Sequence, residues 1–81
     1  MTMTEKKQLV ESAGYRYSFD RRLYINRLER KAFSVEFIDD STEDRLREAL
    51  VTPAPSSGDW DFKFNTAPSP SVRRELVALL G

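Results

Sequence analysis

With 81 residues, 40% of them apolar and 32% charged, the chain is long enough for one small domain and too apolar for disorder. Its formal net charge is zero. Cysteine and histidine are both absent, which excludes disulfides, thiolate chemistry and histidine-based catalysis or metal ligation.

The opening "MTMTEKKQLV" has charges but no apolar stretch behind them, so no secretory leader and a cytoplasmic location are expected. No run approaches the ~18 apolar residues of a membrane span. Thr4 to Ala13 reads as a short helix, capped by Thr4 and stopped by Gly14, with Leu9, Val10 and Ala13 on one face. Next, "YRYSFDRRLYINRLERKAFSVEF" alternates. Tyr15, Tyr17 and Phe19, then Leu23 and Ile25, then Phe33, Val35 and Phe37 all fall on odd positions. This spacing predicts a three-stranded meander with those residues on one buried face. Loops at Asp20–Arg22 and Arg27–Lys31 would pair Tyr17 with Ile25 and Ile25 with Phe33. Tyr24 would then sit on the second, polar face with Arg16, Ser18, Arg22, Asn26, Ser34 and Glu36.

"DDSTEDRLREALV" predicts a helix capped at Asp40 or Ser41, its first turn acidic as the helix dipole favours, with Leu46, Ala49 and Leu50 buried. The acidic cluster lacks the glycine turn and terminal glutamate of an EF-hand loop. A Pro/Ser/Gly loop over 52–59 leads to "WDFKF", a fourth strand by its alternation. After a second Pro-containing loop over 65–71, a final helix is expected, opened by Ser69 with Pro70 or, in a shorter version, by Ser71, with Val72, Leu76, Leu79 and Leu80 on its apolar stripe. Residues 1–81 therefore read as one α+β domain of order α-β-β-β-α-β-α. Its mostly antiparallel sheet, the meander plus a fourth strand, would carry helices on one face.

Function is less legible. "RKAFSVEF" has a basic residue ahead of spaced aromatics, as in the RNP1 signature of RNA-recognition motifs. It is one residue short, however, with Ala32 and Ser34 in place of the glycines, and the helix such a motif needs between its first two strands is missing. That resemblance is set aside. Arg16 to Lys31 carries net charge +4 and Glu36 to Glu48 net −4, so self-association between complementary segments is an expectation. Nothing suggests a carboxylate pair in a cleft, a phosphate loop or a nucleophile elbow, so neither an enzyme nor a cofactor is expected. The reading is a binding module for another protein or a second copy, a homodimer being possible. Its contact residues would be Tyr24, Arg22, Asn26, Arg16, Ser34 and Glu36 on the open sheet face. Nucleic acid is the alternative partner, with Arg21, Arg27, Arg30 and Lys31 reaching phosphate. No membrane contact is expected.

Overall fold

The computed structural model describes residues 1–80. Helix α1, Met3–Ser12, is capped two residues earlier than expected, by Thr2 and not Thr4, because Thr2 and Glu5 have the spacing of a reciprocal box. The Glu5 amide donates to Thr2 Oγ1 at 3.2 Å, and the Thr2 amide donates to the Glu5 carboxylate at 3.0 Å. These bonds hold the Glu5 pKa below its ordinary value. Gly14 ends the helix at φ +96°, a left-handed conformation that suits glycine.

Strands β1 (Arg16–Ser18), β2 (Leu23–Asn26) and β3 (Lys31–Ser34) form the expected meander, and β4 (Asp61–Lys63) completes the sheet in the order β1-β2-β3-β4. The register differs from the expected one by a single residue. Tyr17 lies opposite Tyr24 and Tyr24 opposite Phe33, while Ile25 faces Arg16 on one side and Ala32 on the other. The reason lies in the turns. Both loops, 19–22 and 27–30, contain four residues, and each closes on an arginine in the left-handed region, Arg22 at φ 54° and Arg30 at φ 55°. An even loop exchanges the faces of odd and even positions from one strand to the next. Tyr17, Tyr24 and Phe33 therefore share one face of the sheet, and Leu23, Ile25 and Ala32 share the other. The expectation that all the odd apolar residues share a face is overturned.

Beyond Ser34 the chain turns into helix α2, Val35–Asp40, where a continuing strand was expected. The Ser34 hydroxyl caps it by accepting from the Phe37 amide at 3.0 Å. Helix α3, Glu43–Val51, follows, capped by Thr42 through the Arg45 amide at 3.2 Å and not by Asp40 or Ser41. After the Pro-rich loop, β4 (Asp61–Lys63) joins the sheet parallel to β3. Helix α4, Pro70–Leu80, takes the longer of the two expected forms, starting after Ser69, whose carbonyl accepts from the Arg73 amide at 2.9 Å.

The α+β class, the order of the main elements and the mostly antiparallel sheet are those read from the sequence. The helices, however, cover both faces. On one side Tyr15, Tyr24 and Phe33 pack with Val10 of α1, Phe37 and Ile38 of α2, and Leu46 and Ala49 of α3. On the other, Leu23, Ile25, Ala32 and Trp60 pack with Leu76 and Leu80 of α4. Every residue of β2 and β3 is consequently buried, as in strands covered on both sides.

Candidate interaction surface

The double cover removes the open face on which Tyr24 was to act. Tyr24 is 3% exposed, its ring 4.9 Å from that of Tyr17. Burial raises its pKa, and that of Tyr15 also, with Glu29 and Asp61 adding to the rise at Tyr15. Asn26 is buried as well. Its side-chain amide donates to the Ala13 carbonyl at 3.4 Å and its oxygen accepts from the Glu29 amide at 3.0 Å, tying the end of α1 to the β2–β3 loop. Ser34 is buried as the cap of α2. Of the six expected contact residues, Arg16, Arg22 and Glu36 remain exposed, and Arg22 is paired with Glu36 at 3.2 Å. Arg21, Arg22, Ser34 and Glu36 line one shallow depression of about 320 Å³.

The basic residues do not converge. Arg21 and Arg22 lie in the loop before β2, while Arg27 and Arg30 lie in the loop after it, at the opposite end of the strand. Arg27 donates to the Leu80 carbonyl at 3.2 Å, at the end of α4. Lys31 is 1% exposed and therefore out of reach of a phosphate. Its ammonium group donates to the carbonyls of Ala49 and, at 2.6 Å, of Thr52, where α3 ends and the helix dipole is negative. It also lies 5.6 Å from the Phe33 ring centroid. Burial lowers the Lys31 pKa, with the charge of Asp61 opposing.

The sheet edge at β1 is the more informative surface. The Val35 amide donates to the Arg22 carbonyl across the β2–β3 ladder. In an antiparallel ladder that bond makes Tyr24 and Asn26 the residues of β2 whose amides and carbonyls face β3. Leu23 and Ile25 must therefore face β1, where their partners are Ser18 and Arg16. By the same alternation Tyr17 turns both its amide and its carbonyl to the open edge. Its side chain is 42% exposed, and Phe19 beside it, 82% exposed, meets it edge-to-face at 6.4 Å. A depression of about 480 Å³ lies alongside, lined by Glu11, Gly14, Tyr15, Arg16 and Tyr17.

The other edge is better guarded. Asp61 and Lys63 of β4 pair at 3.6 Å. Arg73 donates to the Trp60 carbonyl at 2.8 Å and lies over the Phe62 ring at 5.0 Å. Strand β1 contains no proline and one charge, so apart from its three-residue length the devices that usually blunt an edge are few there. Periodicity had placed Tyr17 and Phe19 in the core. The signal against this was the "FDRR" run, whose polar residues extend into a four-residue turn that takes Phe19 with it.

Among the described residues no group of three or more aspartates or glutamates converges as a metal site. No described helix is long and apolar enough to cross a membrane. Comparison with known protein families, curated proteins and solved structures finds no match to this chain.

Proposed function

We propose that the chain is a small binding module without chemistry of its own, which takes up an extended strand from another protein or from a second copy along the β1 edge. The observation that carries this reading is Tyr17, whose amide and carbonyl face outward beside its own exposed ring and that of Phe19. Strand addition draws its affinity from such main-chain groups and its selectivity from side-chain pockets that alternate along the edge. The depression beside Tyr15 supplies one pocket of that kind. Tyrosine is also among the residue types enriched where interfaces concentrate their energy.

Selection of displayed extended peptides on the immobilised chain tests the reading, with Tyr17→Pro as the control. Proline removes the outward amide and leaves the β1–β2 ladder its bonds. Peptide binding or self-association that disappears in Tyr17→Pro supports strand addition. If neither depends on that substitution, the edge is not the site.

A further inference from the structure

Resting on that reading, we infer that the strand received at the edge is β1 of a second copy, paired antiparallel about a two-fold axis through Tyr17. In a symmetric antiparallel pair the residue on the axis meets itself. When its amide and carbonyl both point outward, it exchanges two hydrogen bonds with its own copy. Tyr17 is the β1 residue in that orientation, while Arg16 and Ser18 are turned toward β2.

Side-chain placement agrees with this register. Tyr15 of one copy comes opposite Phe19 of the other, so each exposed Phe19 ring is brought to the 480 Å³ depression beside the other copy's Gly14 and Tyr15. Knob and hollow lie on the same short stretch of chain, and the two-fold axis fills both hollows at once. Gly14 lines the hollow with bare backbone, its φ of +96° disfavouring any side chain there. Charge agrees as well. Arg16 stands at one end of β1 and Asp20 beyond the other, so antiparallel pairing brings Arg16 toward the partner copy's Asp20, whereas parallel pairing would align like with like. With three residues in each strand the buried area is small, and association belongs to the weak, transient class.

Sedimentation equilibrium from micromolar to millimolar concentration reads the association directly. Two variants separate the interface from folding. Phe19→Asp changes a residue that is 82% exposed, and Tyr17→Pro changes the outward amide. Each is expected to weaken the dimer at least about tenfold, roughly 1.4 kcal/mol, with a native circular dichroism spectrum. The chain lacks cysteine, so single cysteines report the register. Cysteines on the axis would sit ~5.5 Å apart at Cα, within disulfide reach. Tyr17→Cys should therefore oxidise to a covalent dimer faster than Ser18→Cys, which lies off the axis. A dimer indifferent to Phe19→Asp, or faster cross-linking at position 18, overturns the inference. A monomer at millimolar concentration that still binds selected peptides through Tyr17 also overturns it and leaves the edge reading standing. A monomer that binds none removes both.

Discussion

Replacing Tyr24 by alanine separates a buried ring from a solvent-facing one by a wide margin. Tyr24 is 3% exposed, its ring 4.9 Å from that of Tyr17, and it stands across the ladder from the fully buried Phe33. An aromatic side chain of this kind withdraws ~150–250 Å² from water. At about 25 cal/mol per Å² this amounts to roughly 4–6 kcal/mol, close to the ~3–5 kcal/mol seen when buried aromatics are cut to alanine. A domain of this length has a total stability on the order of 4–12 kcal/mol. Tyr24→Ala should therefore lose a third or more of it and unfold at much lower urea concentration. Tyr24→Phe keeps the ring and should cost less than about 1.5 kcal/mol. Urea titration followed by the fluorescence of Trp60, the single tryptophan and itself buried, reads both variants. If Tyr24→Ala stays within ~0.5 kcal/mol of wild type, as a surface substitution would, the ring faces solvent and the β1–β2–β3 register is wrong.

Three other outcomes follow from single side chains. Lys31→Met keeps an apolar stem but leaves the Ala49 and Thr52 carbonyls unpaired, so it should destabilise by about 1–3 kcal/mol, and Lys31→Ala, which also loses the packing, by more. Arg30→Gly should stabilise by about 0.5–1 kcal/mol, because glycine relieves the left-handed strain at φ 55° at some entropic cost; thermal unfolding measures it. Tyr15 and Tyr24 have raised pKa values, so the folded state holds their protons more tightly than the unfolded state does. That contribution is complete below about pH 10 and is lost as pH climbs through the raised values. The urea midpoint should accordingly fall at alkaline pH, and less steeply in Tyr15→Phe.

Local signals carried most of the fold. Ser69 with Pro70, the stripe of Leu46 and Ala49, and the alternation of "WDFKF" each predict an element that forms. Register was harder, because it depends on loop length, and "FDRR" and "RLER" contain no glycine to mark the left-handed position that Arg22 and Arg30 occupy. The unbroken apolar run Leu23–Tyr24–Ile25 does carry the double cover, since a strand covered on both faces has no polar side. Ser34 is ambiguous in sequence for a similar reason. Between Phe33 and Val35 it looks like the polar half of an alternation, yet its hydroxyl caps α2 and ends the strand. The site moved with the register. Once Tyr24 is inside, the aromatics left outside are Tyr17 and Phe19, and the surface they make is an edge and not a face.

Amide hydrogen exchange along β1, resolved by residue and repeated at low and high protein concentration, tests the edge most directly. In dilute solution the Arg16 and Ser18 amides should be protected and the Tyr17 amide should exchange freely, with Tyr17 alone gaining protection as concentration rises. Protection of Tyr17 with free exchange at Arg16 and Ser18 would mean the strand is turned over, and the outward-facing edge would not exist.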